Sequence, residues 1–274
     1  MEPSPWQAVA NPAAPAPEDF AGILRSRGLY PHLPAASFTS TAHGIQRPDE
    51  TQATTIMAFK FAGGVLVAGD RRATAGNVVV YDRADKVLEI DRFSLMAIAG
   101  VPATAWEMAR VLEHSFQFYR RSQLQEMSLE GKVRALSKLL RDNLGFVMQG
   151  VGIVVPLFAT YDQEADSSRL YFYDAMGAQF EATDYAASGS GGHAVRSILY
   201  YENTFGSRPL RKRTEQQAIL VALRALDTAA EADTATGGVD RRGKVYPIVK
   251  LITREGITTL PEKTLARLFK EHVA

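Results

Sequence analysis

The sequence predicts an α+β fold in which two antiparallel sheets face each other and helices cover them on both sides. Two observations support this prediction. Short apolar runs beside glycines, which are typical of buried strands, recur from residue 54 onward, and patterns with a helical period separate them. The order is strands, two helices, strands, two helices, strands and one helix. A doubly wound parallel sheet needs regular alternation of strand and helix, which this order does not provide.

The chain changes character at Thr54. Residues 1–53 contain most of the 13 prolines and show no sustained periodicity. Such a segment cannot bury enough apolar area by itself to offset the entropy cost of ordering it. It is either a flexible tail or a removable leader that also makes contacts during assembly. Residues 54–274 have the size of one domain, and we predict that they form one.

The elements of the first half follow from the spacing of apolar residues. Thr54 opens a predicted strand, and the apolar runs at residues 65–68 and 95–99 predict two more. The period then changes to steps of four and three, as on one face of a helix. A second helix is predicted to begin near Ser128. The helix faces contain Ala105, Ala109, Leu112, Phe116 and Tyr119 in the first helix, and Leu129, Val133, Leu136, Leu140, Leu144 and Val147 in the second.

The second half returns to strands and then to helices. Pro261 stands at a predicted first helical position, where its missing N–H is tolerated, and it opens a C-terminal helix through His272. The other predicted elements are strands at residues 151–161, 169–174 and 179–183, helices at 193–201 and 215–230, and a closing strand pair at 245–253 and 257–260.

Composition argues against several classes of function. The chain has no cysteine, which excludes disulfides, thiol catalysis and cysteine ligands for a metal. Its five histidines lack the spacing of a metal site, so we expect neither a metal nor another cofactor. The formal net charge of +1 does not favour nucleic acid or an acidic membrane as a partner. No apolar run approaches the roughly 18 residues that cross a bilayer. Since no secretory signal is recognisable either, we expect a cytoplasmic protein.

Three polar or glycine-rich segments each have a plain structural interpretation. Residues 69–76 could be a charged turn between strands. Residues 188–192 suggest a close backbone approach or the start of a helix, because they match neither a hydrolase nucleophile elbow nor a phosphate loop. Residues 233–238 have the composition of a loop that ends a helix. Taken singly, none of these segments identifies a function.

The joint order of the motifs is more specific than any one of them. The motifs are Thr54-Thr55-Ile56, Gly69-Asp70-Arg71-Arg72-x-Thr74, Lys86-Val87, Ile98-Ala99-Gly100, Gly189-Ser190-Gly191 and Asp233-x-x-Thr236-Gly237. As a set, they resemble the beta subunits of bacterial proteasomes, over essentially all of residues 54–274. The alpha subunits of that family lack the Thr-Thr start.

This resemblance implies the fold of the N-terminal nucleophile hydrolases, a four-layer αββα sandwich, and the activity of a threonine endopeptidase. Self-cleavage between residues 53 and 54 would remove the leader and make Thr54 the first residue. Its freed α-amine would then take the proton of its own hydroxyl. Lys86 would lie beside Thr54, and Asp70 would hold Lys86, because an unpaired buried ammonium is costly.

The remaining site residues also follow from the resemblance. Ser190, Asp233 and Thr236 would orient the amine and a proton-carrying water, and the Gly100 N–H would stabilise the oxyanion. Thr74 and Gly100 would pair with an extended substrate as an added strand. The matching pocket positions are apolar, so we predict cleavage after hydrophobic or aromatic residues. These pocket positions are Ala73, Ala84, Leu88 and Ile98.

One position departs from the family. Leaders normally end in glycine directly before the threonine, whereas this chain has Ala53 there. Self-cleavage needs a tight turn, and a Cβ in left-handed geometry costs roughly 1–2 kcal/mol. We therefore expect maturation to be about tenfold slower, or somewhat more, than with glycine.

The resemblance also implies partners: further beta subunits in stacked rings, a separate alpha subunit, a ring ATPase regulator and polypeptide substrates. Two alternatives remain open. A structural ring subunit would keep its leader and cleave nothing, and Ala53 favours this alternative. Another N-terminal nucleophile hydrolase would act on small amides, and the Arg71-Arg72-x-Thr74 signature disfavours that alternative.

Overall fold

The computed structural model describes residues 54–75, 78–239 and 245–273. The strands are β1 (Thr55–Phe61), β2 (Gly64–Gly69), β3 (Ala73–Ala75), β4 (Val78–Tyr81), β5 (Val87–Asp91), β6 (Ser94–Ala97), β7 (Leu157–Asp162), β8 (Ser167–Tyr173), β9 (Gln179–Glu181), β10 (Tyr185–Gly189), β11 (Ile248–Thr253) and β12 (Gly256–Thr259). The helices are α1 (Pro102–Gln123), α2 (Leu129–Asp142), α3 (Leu144–Met148), α4 (Gly192–Thr204), α5 (Glu215–Ala232) and α6 (Glu262–His272), with one turn of 3₁₀-helix at Leu210–Lys212.

The strands form two five-stranded sheets and a separate hairpin. One sheet has the order β10-β1-β2-β11-β12, and the other has the order β5-β6-β7-β8-β9. The neighbouring strands pair in antiparallel fashion throughout both sheets. The predicted α+β class, with two antiparallel sheets and helices between their strands, is therefore confirmed.

Strand β1 contributes to two apolar cores, because successive side chains of a strand point to opposite faces. Ile56 and Ala58 join a core that also contains residues of the other five-stranded sheet, such as Leu95. Met57 and Phe59 join a second core with helices α4, α5 and α6. A third core combines strands β5 to β8 with helices α1 and α2. Both faces of β1 are buried, so its central residues 56–59 form a continuous apolar run without polar alternation.

The register of β1 positions its N-terminal end against two loops. Thr55 lies opposite Gly189 on β10, and Ile56 lies opposite Gly69 on β2. Asp70 follows β2 directly, and Ser190 follows β10 directly. The polar residues of three separate motifs therefore meet at one end of this sheet.

The predicted helix starts agree closely with the structure. Ser128 caps α2, and its Oγ accepts a hydrogen bond from the Gly131 N–H at 3.2 Å. Thr214 and Gln217 form a reciprocal capping box at the start of α5. Pro261 occupies the N-cap of α6 and not its first helical position, so that prediction was wrong by one residue.

The second predicted helix is shorter than its apolar pattern indicated. The pattern runs to residue 147, but α2 ends at Asp142 and a separate short helix, α3, follows. Asn143 stands at the break, and its Nδ2 donates to the Gly152 carbonyl at 2.7 Å. This bond to the loop that follows α3 stabilises the end of α2, and apolar spacing carries no signal for it.

Two predicted strands begin too early. The predicted strand at 151–161 begins at Leu157, and the one at 245–253 begins at Ile248. A proline precedes each observed start, at Pro156 and Pro247. Proline has no N–H to donate to a ladder, so it limits a strand to residues that follow it. The hairpin of β3 and β4, and strands β5 and β10, were not predicted.

Within the described ranges, the helices lack the combination of length and apolar character that spanning a membrane requires.

Candidate active site

Thr54 is buried at the start of β1, where the end of β10 holds its backbone. The Thr54 carbonyl accepts the Ser190 N–H at 2.9 Å, and the Ser190 hydroxyl lies 3.4 Å from the same oxygen. Gly189 has a φ of +92°, and a Cβ there would lie 1.9 Å from the Thr54 carbonyl oxygen. Glycine is therefore required at 189, both for its conformation and for this close approach.

Asp70 connects the start of β1 with two other segments. Its Oδ1 accepts the Thr55 N–H at 2.7 Å and the Lys86 Nζ at 2.7 Å. Its Oδ2 accepts the backbone N–H groups of Arg72 and Gly237, both at 2.9 Å. The carboxylate is fully buried, and these four hydrogen bonds satisfy both of its oxygens. Asp70 therefore fixes Lys86 relative to the Thr54–Thr55 backbone.

Lys86 is a buried cation with two short hydrogen bonds. Besides Asp70, its Nζ donates to the Arg72 carbonyl at 2.5 Å. Burial lowers the pKa of Lys86, although the charge of Asp70 acts in the opposite direction. Removing one partner from an ion pair buried to this degree strongly destabilises the folded protein, because the other charge is left without compensation.

A second group of hydrogen bonds surrounds Asp233. The hydroxyls of Ser190 and Thr236 each donate to its Oδ2 at 2.6 Å. Burial alone would raise the pKa of Asp233, but these hydroxyls, the Ala235 N–H and the charge of Lys86 together lower it. The carboxylate is therefore held in its ionised form, ready to accept hydrogen bonds.

Thr55 and Gly191 belong to this network, although neither residue was predicted to have a role. The Thr55 and Thr236 hydroxyls lie 2.5 Å apart, and the Gly191 N–H donates to the Thr55 Oγ1 at 3.0 Å. A Cβ at Gly191 would lie 2.4 Å from the Thr55 Oγ1, so this approach also needs glycine. The signal available in the sequence was the second threonine of the Thr-Thr pair, which opens a strand that is otherwise apolar.

Hydrogen bonds connect six predicted catalytic residues into one network. Starting from Thr54, it passes through Ser190, Asp233, Thr236 and Thr55 to Asp70 and Lys86. The seventh residue, Gly100, is linked through the backbone of its own segment, since the Ile98 N–H donates to the Lys86 carbonyl at 2.9 Å.

Gly100 has a backbone geometry that only glycine adopts freely. Its φ is +110°, and a Cβ there would lie 2.0 Å from the Ile153 carbonyl oxygen. It forms an isolated bridge with Val154, held by the bonds from the Val101 N–H to Ile153 and from the Val155 N–H to Ala99, both at 2.8 Å. In a bridge of this pattern the amide of the central residue points away from its partner. The Gly100 N–H is thus directed away from this bridge.

The predicted substrate-binding residues lie on neighbouring segments. Thr74 is buried in β3, which pairs only with β4 in the described part of the chain, so its other edge has no strand partner. Ala84 and Ile98 are buried, whereas Ala73 and Leu88 are half-buried. The Ala84 N–H donates to the Arg71 carbonyl at 2.9 Å, which holds that residue beside the segment after β2.

Two other predictions concern different parts of the chain. Ala53, the predicted cleavage position, and the leader lie outside the described residues. Within the described ranges, no group of three or more histidine, aspartate or glutamate side chains is arranged to hold a metal ion.

Comparison with known proteins gives a consistent result. The sequence model of the Proteasome family, described as proteasome subunit, matches residues 50–244. A proteasome subunit beta from Acidimicrobium ferrooxidans is 38% identical over 253 residues, which cover 92% of this chain and 88% of that protein.

Two further relatives have a similar sequence identity to this chain. The proteasome subunit beta of Streptomyces griseus is 39% identical over 213 residues, covering 77% of this chain and 72% of that protein. The proteasome subunit beta 2 of Thermomonospora curvata is 40% identical over 245 residues, covering 89% and 84%. Matches of this length and identity, together with the geometry of the site, show that this chain belongs to the proteasome beta subunit family.

Proposed function

We propose that this chain is the catalytic beta subunit of a proteasome core particle and a threonine endopeptidase that hydrolyses peptide bonds of unfolded proteins. One observation carries the proposal. The Asp70 Oδ1 holds both the Thr55 N–H and the Lys86 ammonium at 2.7 Å, next to a buried Thr54. A buried lysine, held by one carboxylate to the backbone directly after a buried threonine, favours nucleophilic chemistry over a purely structural role.

The chemistry begins with removal of residues 1–53. In the mature chain, the α-amine of Thr54 is the general base, because an α-amine has an ordinary pKa of about 7.7–8.0. The positive charge of Lys86 favours the neutral form of that amine. The Thr54 hydroxyl transfers its proton to the α-amine as its oxygen attacks the substrate carbonyl. The peptide C–N bond then breaks, the leaving amine takes up that proton and departs as the first product, and a covalent acyl-enzyme remains. A water molecule then hydrolyses this intermediate and releases the second product.

The other network residues orient this reaction. Ser190, Asp233 and Thr236 position the amine and a water that carries protons between amine and leaving group. The Gly100 N–H stabilises the oxyanion, and one such donor contributes about 3–4 kcal/mol to transition-state stabilisation. Its direction away from the Val154 bridge supports this assignment.

Substrate recognition follows from backbone pairing and an apolar pocket. We propose that an extended peptide adds to the free edge of β3 at Thr74 and pairs with Gly100 on its other side. The side chain before the cleaved bond then enters a pocket lined by apolar residues, so cleavage follows hydrophobic or aromatic residues. Fluorogenic peptides with aromatic, basic and acidic residues at that position test this preference, and faster cleavage of the charged peptides would contradict it. The pocket residues are Ala73, Ala84, Leu88 and Ile98.

The proposal includes the four-layer αββα architecture, which the composition of the three apolar cores supports. One core combines helices α4 to α6 with the sheet that contains β1, one combines the two sheets, and one combines the other sheet with helices α1 and α2. It also includes assembly into stacked cytoplasmic rings with an alpha subunit and a ring ATPase regulator. Two exposed surfaces support assembly. All four residues of β4 are exposed, although three are valines and one is tyrosine. On α4 and after it, the rings of Tyr200 and Tyr201 each contact the ring of Phe205 on the surface.

The alternative function is a ring subunit that retains its leader and has no activity. Ala53, in place of the glycine usual in the family, favours this alternative. A hydrolase of small amides is a further candidate, and hydrolysis of small amides in the absence of peptide cleavage would favour it.

One variant separates these functions. Thr54→Ala, co-expressed with the alpha subunit, should retain residues 1–53 by intact mass and should lose peptide hydrolysis. Thr258→Ala is the matched control, because Thr258 is exposed on β12, an edge strand of the same sheet that is three strands from β1. The control should lose its leader and cleave peptides normally. Full peptidase activity in Thr54→Ala would overturn the proposal.

A further inference from the structure

A cavity of about 430 Å³ lies near the end of β1 that is opposite to Thr54. Lys60 contributes to its lining from β1, and Ser167 and Arg169 contribute from β8. Lys60 follows Ile56 and Ala58 at every second position, so it points to the same side as the core between the two sheets. The cavity therefore opens at the rim of that core, remote from the catalytic network.

Lys60 is a buried cation without a carboxylate partner. Its relative exposure is 7%, and no carboxylate of the described residues lies within 4.0 Å of its Nζ. Burial lowers the pKa of Lys60, and the nearby charges of Arg211 and Arg169 lower it further, while Glu181 and Asp184 act in the opposite direction. A desolvated charge of this kind is costly unless a counter-charge compensates it.

Lys250 is another buried lysine of the same sheet, and it has carboxylate partners. It points to the same side of the sheet, between Ile248 and Ile252, and its side chain is 8% exposed. Glu89 lies 3.0 Å from its Nζ, and Asp85 lies 3.8 Å from it. Lys250 therefore has carboxylate partners among the described residues, whereas Lys60 has none.

Two further groups at the cavity have unused hydrogen-bonding capacity. The Ser167 Oγ and the Arg169 Nε are buried and have no hydrogen-bond partner in the described part of the structure. Ser167 and Arg169 are two positions apart on β8, so their side chains lie on the same face of that strand. Unpaired buried polar groups are rare, and a bound ligand is one explanation for a pair of them beside an uncompensated cation.

Lys60 and the charged groups that act on it leave an excess of one positive charge. Lys60, Arg169 and Arg211 supply three cations, and Glu181 and Asp184 supply two carboxylates. Glu181 accepts a hydrogen bond from the Arg169 Nη1 at 3.1 Å, and Asp184 accepts one from Arg211. These two pairs leave Lys60 as the cation to be neutralised, by a ligand with one negative charge.

We propose that this cavity is a binding site for a small oxyanion, a carboxylate or a phosphate, which accepts hydrogen bonds from Lys60, Ser167 and Arg169. Charge-assisted bonds from ammonium and guanidinium groups are the usual means of holding such oxygens. The volume is in the range of small-molecule sites, so the ligand can be larger than an isolated inorganic ion.

The test measures oxyanion binding by the full-length chain, assembled with its alpha partner. Sodium acetate and sodium phosphate are titrated separately in a calorimeter, with sodium chloride at matched ionic strength as the reference. The wild type should bind at least one of the two oxyanions saturably, and the stronger of the two identifies the ligand class. Lys60→Met should weaken that binding about tenfold or more, because a charge-assisted hydrogen bond is lost.

Two other variants complete the design. Lys250→Met removes an equally buried lysine from the same side of the sheet and should leave oxyanion affinity unchanged. Ser167→Ala removes one neutral donor, should weaken binding several-fold, and remains informative if Lys60→Met does not assemble.

Three results would each overturn the proposal. The first is a calorimetric response to the oxyanions no greater than that to chloride, and the second is equal oxyanion affinity in the wild type and both cavity variants. The third is a cryo-EM map of the particle in which a side chain of a neighbouring subunit fills the cavity. None of these measurements uses peptidase activity, so the outcome is independent of the function proposed for Thr54.

Discussion

The hydroxyls of Thr55 and Thr236 lie 2.5 Å apart, although 181 positions separate the two residues in the chain. Because the Thr236 hydroxyl donates its only proton to Asp233, the Thr55 hydroxyl is the donor between the two threonines. Thr55 also donates its backbone N–H to Asp70 and accepts the Gly191 N–H. The residue directly after the proposed nucleophile is therefore anchored in three directions, which restricts the position of Thr54 itself.

The first prediction concerns this anchor. Thr55→Val keeps the shape of the side chain but removes its hydroxyl, so the Gly191 N–H and the Thr236 oxygen lose a partner. We expect a loss of about 1–3 kcal/mol in stability, because buried polar groups are left unpaired. Melting of the assembled particle at fixed concentration measures this loss. For peptide hydrolysis, kcat should fall without reaching zero, while KM stays similar.

Thr55→Ser is the matched control, since it restores the hydroxyl and should recover most of the lost kcat. If Thr55→Val melts and cleaves like the wild type, the anchoring role of the Thr55 hydroxyl is wrong.

A second prediction follows from the lowered pKa of Lys86. In the window between its lowered folded pKa and the ordinary value of 10.5, the unfolded chain binds more protons than the folded chain. The contribution of Lys86 to stability therefore rises with pH across this window, and below the folded pKa it is constant and at its lowest. Melting temperatures of the wild type and of Lys86→Met, measured at several pH values up to 10.5, test this.

The variant should be less stable at neutral pH by about 3–5 kcal/mol, because Asp70 keeps a buried charge without its partner. The difference between wild type and variant should also change with pH across the window. Any contribution of Lys60 is present in both proteins and cancels in the comparison. A difference in melting temperature between wild type and variant that stays constant over the whole pH range would contradict the prediction.

The third prediction concerns the backbone at Gly100. Gly100→Ala places a Cβ 2.0 Å from the Ile153 carbonyl oxygen at a φ of +110°. The strain and the clash should cost more than the roughly 1–2 kcal/mol of left-handed geometry alone, and the displaced N–H should reduce kcat strongly. Thermal melting and peptide hydrolysis measure the two effects.

Gly145→Ala is the control for a glycine replacement as such. Gly145 lies in the short helix α3, and a Cβ there meets no atom within 4 Å. This variant should melt at or slightly above the wild-type temperature and keep its activity. Equal behaviour of the two alanine variants would refute the geometric role of Gly100.

The fourth prediction concerns maturation. Ala53→Gly should speed leader removal about tenfold, because glycine adopts the tight turn without the cost of a Cβ. The measurement is the intact mass of the chain at intervals after mixing with the alpha subunit. Ala53→Val provides the opposite change and should slow the reaction further. Identical half-times for all three chains would show that the turn at residue 53 does not limit cleavage.

Most of the fold was predictable from the sequence because its strands and helices differ clearly in apolar period. The helix faces around Leu112 and Leu136 identified α1 and α2, and the buried runs around Leu66 and Met96 identified β2 and β6. The hairpin of β3 and β4 was missed because its valines are exposed on both faces, so no burial period exists there. The break at Asn143 was missed because a side chain bond to Gly152, and not an apolar pattern, stabilises it.

The sequence by itself determined the α+β class, the change from a proline-rich segment to regular apolar spacing at Thr54, and the order of the polar motifs, because apolar spacing reports which faces are buried. Tertiary structure decided which polar atoms meet. Gly191 reaches the Thr55 hydroxyl, and Lys60 faces Ser167 and Arg169 across a cavity, only because strand register and loop returns bring distant segments together. Spacing along a single chain carries no information about such encounters, since each depends on the packing of the whole sheet.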